Sequence, residues 1–575
     1  MAEMILPGVY IDVRAEGLIA AGQVTVGTIG IVGTASRGPV GEPVSLSSFA
    51  EARERFGDAD AFVNGNSNEL TLIRALAQAY NHGASSVVAV RVTGTAAAAA
   101  GENFIVAWNK NTTARKASFS VAGDTAATVA AVLKARTHGT WGNEIEVNVF
   151  DAEDDAFIVD ERHPPGVFAL TRKPIAQSPR NRVSVTLAAT GQTKVFGVVY
   201  VAPTPGQVQI NTATGVLTFA AGEAPVAGDI LRASYAVPAA NSRKVTLRYP
   251  GVAETYTVSD GGHLVDLVNA ADSPSAIVVG TAGANPAEHP KKHATADDFR
   301  QFGKGTDQPG GDGAAANDGD YKLGLDQLLN EDAHLIVAAG RDDAIADELK
   351  AHCEAASSDK IRRDRIGIVG SKVGATFNDI RGHTLASDRL VFVAPGIKAT
   401  DDASGKDVTL PGAYAAAAIA GMLASRDPEV SLTNKVLAVP GLETKFTSAQ
   451  LEQLVQAHVL ALEVRRGFRV VKGITTDDGA FRQISVRRIV DYAKYGVRSA
   501  SEPYIGLLNN DRVRKALKGT INGFLAGMVD DEMLITYEVD VTATRDEEKQ
   551  GIAKVTMTLE PTFSIDYIKV VMFLQ

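Results

Sequence analysis

Short apolar runs set off by glycines alternate, near the start of the chain, with stretches whose apolar residues recur every three or four positions. Residues 26–32 form a short apolar run between glycines and predict a buried strand. Residues 47–56 predict a short helix stopped by Gly57. Residues 68–82 place Leu70, Ile73, Leu76, Ala77 and Tyr80 at helical spacing, with Asn68 as the expected cap and Gly83 as the stop. Residues 87–92 read as the next strand, and this strand, helix, strand rhythm predicts an α/β layer.

The rhythm breaks at Thr93. A run of alanines, 96–100, leads into short β-like segments separated by Gly, Pro and Asn, with a hairpin expected from 207–211 and 215–219 and a strand over 230–237. The α/β pattern resumes near 294. Strands are expected at 334–340, 365–370 and 390–393, with a helix over 342–356 that starts at Asp342 and Asp343, where negative charge suits the helix dipole. A longer helix is expected over 447–466: Thr447 and Gln450 have capping-box spacing, and Leu451, Leu454, Val455, His458, Val459 and Leu462 form its stripe.

The fold class expected is therefore α/β plus a β-rich insertion. The layout is an extended arm and linker (1–25), a discontinuous α/β core (26–93 with 294–460), and a β-sandwich or barrel-like protruding domain (94–293, interrupted over 160–240). An α+β C-terminal domain (461–575) follows, ending in a strand arm from 563.

Both ends invite a functional reading. Leu6, Pro7, Gly8, Val9, Tyr10, Ile11, Asp12 and Val13 favour extended backbone, because proline disfavours helix before it and β-branched and aromatic residues follow. At the other end Phe563, Ile565, Tyr567, Ile568, Val570, Val571, Met572, Phe573 and Leu574 keep the chain apolar almost to its last atom. Such a strand either pairs within its own domain or adds to another chain, and alternation leaves both open. Before it, 510–528 predicts a two-faced helix: Val513, Leu517, Ile521 and Phe524 on one side, Arg512, Arg514, Lys515 and Lys518 across the other. The cations suit either a solvated surface or a docking face for an acidic partner. The strand expected after it alternates, with Leu534, Thr536, Glu538 and Asp540 set against Ile535, Tyr537, Val539 and Val541.

Composition narrows the function. With 575 residues, 45% hydrophobic and 22% charged, the chain has material for several cores. A net charge of −10 argues against general nucleic-acid binding. Cys353 is the single cysteine, so no intrachain disulfide is expected. No secretion signal and no membrane-spanning run is recognised, which points to a soluble protein made in a cytoplasm. The glycine-rich stretches 303–306 and 310–313 fit neither phosphate-loop spacing, the ten histidines show no zinc spacing, and no nucleophile elbow is present. No catalytic residue, cofactor or metal is therefore expected, although a soluble α/β enzyme built on the 334–370 unit stands as the rival reading.

Several segments, in order, resemble the contractile tail sheath family of phages, R-type bacteriocins and related injection machines. They are Leu-Pro-Gly-Val-Tyr-Ile-Asp at 6–12, Gly-Ile-Val-Gly-Thr-Ala-Ser-Arg-Gly-Pro at 30–39, Thr-Trp-Gly-Asn at 140–143, Gly-Gly-Asp-Gly at 310–313 with Asp320-Tyr321, and Ser-Val-Arg-Arg-Ile-Val at 485–490. The region 160–240 matches least. The resemblance implies a non-enzymatic subunit that polymerises around an inner tail tube, with the N- and C-terminal arms adding strands to neighbouring copies. It implies the basic helix as the tube-facing element and baseplate and tail terminator proteins as further partners. It also implies assembly in a bacterial cytoplasm into a virion tail or an equivalent particle, without direct nucleic-acid or membrane contact. Another structural component of the same machine is the second alternative.

Overall fold

The computed structural model describes residues 27–94, 113–125, 128–163, 166 and 168–573. The expected N-terminal arm, residues 6–13, lies outside the described residues, as does Leu574.

The stretches with continuous apolar runs become strands buried on both faces, as a parallel sheet requires. The sequence Ile-Gly-Ile-Val-Gly occurs twice, as strands Ile29–Gly33 and Ile366–Gly370, and every residue of both is buried. They belong to a nine-stranded sheet ordered Pro43–Leu46, Val87–Arg91, Ile29–Gly33, Leu335–Asp342, Ile366–Gly370, Leu390–Ala394, Leu460–Val464, Phe468–Val470, Val436–Leu437. The strands from Val87–Arg91 to Leu460–Val464 run parallel, while Pro43–Leu46 pairs antiparallel at one edge and Phe468–Val470 and Val436–Leu437 extend the other end by successive antiparallel pairings.

Helices cover both faces. On one, Thr71–Asn81 and Gly412–Ala424 pack with Ile29, Ile31 and Val391 in a continuous core. On the other lie Asp318–Gln327 and Ala346–Ala356. Close approach explains two glycines: a Cβ on Gly30 would sit 2.7 Å from Ile336 Cδ1, and one on Gly367 would sit 2.6 Å from Leu349 Cγ.

Helix Phe49–Phe56 is capped by Ser48, whose side chain accepts from the Glu51 amide, and ends at Gly57 with φ 83°. The next helix starts at Thr71 rather than near Asn68, and no side chain of its N-cap residue Leu70 caps it. Tertiary contacts do so instead: Thr34 Oγ1 accepts from the Thr71 amide at 3.0 Å and Thr34 O from Leu72 at 2.9 Å. The helix expected over 447–466 is shorter as well. Its capping box forms as expected, but the helix is Ser448–Gln456, His458 turns the chain at φ 62°, and Leu460–Val464 joins the sheet. The α/β core therefore continues past 460, through Phe468–Val470.

Residues Ala114–Asp312 form a separate compact unit, and the rest of the described chain forms the other. The expected boundaries at 94 and 293 move accordingly. Residues after 293 stay with the β-rich unit because Arg300–Gln301 pairs with Glu146–Asp151 and Phe302 is buried in that unit's core beside Phe119. Among its described residues this unit has two cores. One joins Leu133, Trp141, Val147, Leu247 and Leu264; the other, within 156–237, joins Ile158, Val183, Phe196, Leu231 and Tyr235 under a six-stranded sheet. The expected hairpin forms between Gln207–Ile210 and Leu217–Phe219, and the strand at Ile230–Val237 lies where the pattern places it.

The C-terminal segment builds two long helices and a hairpin whose connection holds the short helix Arg545–Lys549. Ile484–Ser501 and Asp511–Asp530 pack against Leu534–Thr542 paired with Lys554–Pro561, around Ile489, Val497, Ile521, Leu525, Met528 and Leu559. The expected alternation fails at one point. A bulge between Leu534 and Thr536 turns Leu534 inward and leaves Ile535 exposed, after which Tyr537, Val539 and Val541 face the core.

Candidate functional site

The hairpin Leu534–Thr542/Lys554–Pro561 is a two-stranded sheet, so each strand keeps one edge unpaired among the described residues. Its inner face is apolar and covered by the helix Asp511–Asp530; its outer face carries Thr536, Glu538, Asp540, Thr558 and Glu560. An edge of this kind, with one face already roofed, can accept an amphipathic strand by backbone pairing.

The C-terminal arm leaves from the end of this hairpin. The Thr562 amide donates to Met533 O at 3.0 Å, and beyond it no residue of 563–573 makes a backbone-to-backbone hydrogen bond with another described residue. Among the described residues, the strand pairing within its own domain that the sequence left open is therefore not formed. Phe563, Ile565, Tyr567, Ile568, Val570, Val571, Met572 and Phe573 are all exposed, Ile568 at 82% and Phe573 at 87%. The root of the arm is nevertheless held, chiefly at Asp566. The Asp566 carboxylate, 9% exposed, lies 2.9 Å from Lys472 Nζ and accepts from Thr433 Oγ1 at 3.1 Å and Gln483 Nε2 at 3.2 Å.

The basic helix is less bare than its sequence suggests. Arg514 pairs with Glu548 at 3.0 Å, Lys515 with Asp511 at 2.7 Å and Lys518 with Asp540 at 3.1 Å. Arg512 is the one of the four without a carboxylate partner among the described residues. Buried contacts run through Leu517, Ile521, Leu525 and Met528, with Val513 and Phe524 only half-buried.

Sequence reasoning missed the charged network beneath the helix Ile484–Ser501. Arg389 donates to both Asp491 oxygens at 3.0 Å, and Arg487 bridges Asp491 at 2.8 Å and Asp388 at 2.7 Å. Asp364 receives Arg389, Lys494 and Arg498 at 3.1, 2.6 and 2.6 Å. Burial opposes the charge on Asp491, but Arg389 and Arg487 outweigh it and hold the carboxyl well below its usual range. Arg488 donates to the carbonyls of Arg426 and Asp427 at 2.7 and 3.1 Å, just past the end of helix Gly412–Ala424. The paired arginines of the 485–490 segment thus stitch the C-terminal helix to the sheet.

The rival enzyme reading is tested where an open α/β sheet takes ligands, at the carboxyl ends of strands flanking a reversal in strand order. Here that point lies between Ile29–Gly33 and Leu335–Asp342. Buried Tyr321 fills it, its hydroxyl donating to Ala339 O at 2.9 Å and lying 2.9 Å from Thr71 Oγ1. Tyr414, Glu69 and Arg74 complete the plug through mutual hydrogen bonds. A nearby cleft of about 640 Å³ contains Asp379 and His383, and both are engaged in local structure. Asp379 closes a capping box with Thr376, while His383 Nε2 donates to Ala457 O at 2.6 Å and its Nδ1 accepts from Leu385 at 3.1 Å. Burial pushes the His383 pKa down, consistent with that neutral tautomer. Among the described residues there is no cluster of potential metal ligands, and no helix is long and apolar enough to cross a membrane.

Comparisons with known proteins bear on the same segments. The family model described as the phage tail sheath protein central domain matches residues 314–476, and that of the phage tail sheath C-terminal domain matches 476–575. A protein of Enterococcus phage phiEF24C named as a tail sheath protein is 28% identical over 282 residues, 45% of this chain and 47% of that protein. The tail sheath protein of Mycobacterium phage Bxz1 is 24% identical over 271 residues, 44% of this chain and 45% of that protein. The chain thus spans about half the length of the curated relatives it matches. In fold it is similar to the crystal structures of sheath tail proteins from Desulfitobacterium hafniense and Listeria innocua. The first gives a TM-score of 0.55 at 14% identity, covering 96% of this chain and 100% of that one; the second gives 0.56 at 13%, covering 95% and 94%.

Proposed function

We propose that this chain, a member of the contractile tail sheath family, is a structural subunit that polymerises helically around an inner tube and contracts to drive that tube through a target envelope. The observation that carries this reading is the exposed apolar arm, 563–573, rooted beside a two-stranded sheet with open edges. Alone, such an arm and such edges are an aggregation hazard; exchanged between copies, each satisfies the other. Head-to-tail exchange of this kind generates an open helical polymer.

In this reading the N-terminal arm, residues 6–13, supplies a second strand to a neighbour's hairpin. The α/β body forms the wall, the unit Ala114–Asp312 is an insertion carried by it, and the helix Asp511–Asp530 faces the tube. Arms that stay paired keep the subunits linked while the bodies rotate and slide. The work of contraction comes from the free-energy difference between two packings, with no nucleotide hydrolysed. Baseplate and terminator proteins are the partners at the two ends of the polymer, and the particle is a phage tail or a related injection device.

Electron microscopy of the purified full-length chain tests the proposal. Hollow tubes or stacked rings are the expected result. A chain that stays monomeric at high concentration, with or without an inner tube protein, overturns it.

A further inference from the structure

The arm divides at Asp566. On its far side, Ile568, Val570, Val571, Met572 and Phe573 are open to solvent. On its near side the chain is tied to the body by polar side chains that are committed to the task. Thr433 Oγ1 accepts from Ser431 Oγ at 3.0 Å and from the Gly473 amide at 3.2 Å, which leaves its own proton for Asp566. Gln483 uses both ends of its amide, donating to Asp566 at 3.2 Å and accepting from the Ser564 amide at 3.3 Å. Lys472 completes the cradle, 14% exposed, with its ammonium 2.9 Å from Asp566 and 5.2 Å from the centre of the Tyr567 ring. Thr433 and Lys472 fall in the segment matched as the central domain, whereas Gln483 and Asp566 fall in the C-terminal one.

A largely buried carboxylate that accepts three partners is expensive to withdraw, because each partner would be left without it in a site with little water access. An apolar strand that merely drifted from the end of a domain would need no such anchor. We propose that Asp566 is the anchoring residue of the C-terminal arm: the Thr433–Lys472–Gln483 cradle fixes where the arm leaves its own body, and the exchanged strand begins only at Ile568. The role is one of positioning. With the root fixed, the free strand searches a small volume around one exit point, which raises its effective concentration at a correctly placed neighbour. The functional consequence rests on the strand-exchange reading above; the anchor itself does not.

Site-directed spin labelling of the full chain, kept dilute and unassembled, tests the anchor directly. The only native thiol, Cys353, is buried, so a label goes to an introduced cysteine. Labels at Ile565→Cys and Met572→Cys are compared by electron paramagnetic resonance. In the parent the 565 label is slow and the 572 label fast. Asp566→Ala is expected to raise the mobility at 565 by about tenfold while leaving 572 unchanged. Lys472→Ala gives a smaller change in the same direction and serves where Asp566→Ala fails to fold. The exchange Asp566→Lys with Lys472→Asp restores part of the slow motion. Equal mobility at 565 and 572 in the parent, or no response to either substitution, overturns the proposal. Because the measurement is made on single subunits, it is independent of whether the arms exchange.

Discussion

Arg389 grips Asp491 through two parallel hydrogen bonds of 3.0 Å, one from each terminal nitrogen to each carboxylate oxygen. The pair joins the base of the strand Leu390–Ala394 to the middle of the helix Ile484–Ser501, and so ties the α/β sheet to the module that carries the hairpin and arm.

Removing Asp491 leaves Arg389 and Arg487 buried without their shared carboxylate. Asp491→Ala is expected to destabilise the subunit by about 3–5 kcal/mol in denaturant unfolding. The pH dependence follows from the depressed pKa. A carboxyl lower in the folded state than its unfolded value near 3.8 contributes stability that is full above that value and lost as pH falls through the folded pKa. Acid unfolding of the parent should therefore steepen below about pH 4, and Asp491→Asn should flatten that slope. An unchanged slope would count against the pair.

Two glycines predict opposite outcomes. A Cβ on Gly421 would lie 2.2 Å from Ala79 O, where helices Gly412–Ala424 and Thr71–Asn81 touch. Gly421→Ala should cost about 1–3 kcal/mol as the helices are pushed apart. Gly519, within helix Asp511–Asp530, has nothing within 4 Å of its Cβ position, so Gly519→Ala should gain about 0.5–1 kcal/mol. Thermal melts of both variants check the pair.

The parallel strands were legible because burial on both faces leaves a continuous apolar run, and the Thr447–Gln450 box because it is local. The end of that helix was not. Residues 459–464 are apolar enough for a buried helix or a buried strand, and the turn rests on His458 at φ 62°, where a glycine would have marked it. Asn68 was a reasonable cap by type, yet Thr34 supplies the cap from elsewhere in the chain. Asp566 gave no signal at all: in an apolar tail it resembles a solubilising charge, and its partners Thr433 and Gln483 lie 133 and 83 residues away. The carboxylates facing Arg514 and Lys518 sit on the hairpin, which a helical pattern cannot reveal.

Those carboxylates sharpen the test of the tube-facing helix. Lys515 and Asp511 are both more than 70% exposed, and Lys518 pairs with a similarly exposed Asp540. Surface pairs of this kind contribute about 0–1 kcal/mol, so Lys515→Glu with Lys518→Glu should barely shift the melting temperature. Co-assembly with the inner tube should nevertheless weaken, and more so as salt is lowered. Arg514→Glu is the contrasting variant, because Arg514 is half-buried against Glu548 and its loss should lower stability itself. Normal co-assembly by the double lysine variant removes this helix from the tube contact.

The arms give the sharpest prediction. Residues 563–573 bury almost nothing against their own subunit, so deleting the segment after Phe563 forfeits little hydrophobic burial. What it forfeits is the Asp566 anchor, which leaves Lys472, Thr433 and Gln483 without that carboxylate at a cost of about 1–3 kcal/mol, small against a subunit with several cores. The truncated chain should therefore melt within a few degrees of the parent and keep its far-ultraviolet circular dichroism, yet form no filaments in the electron microscope. Deletion of residues 1–13 should also abolish filaments, since each open hairpin edge then lacks one of its donor strands. Mixing the two truncated chains separates the roles. Each supplies the arm the other lacks, so short mixed polymers are expected if the arms act at different edges, and none if both must come from one subunit. Filaments of normal length from either truncated chain alone would sink the exchange of arms as the basis of assembly.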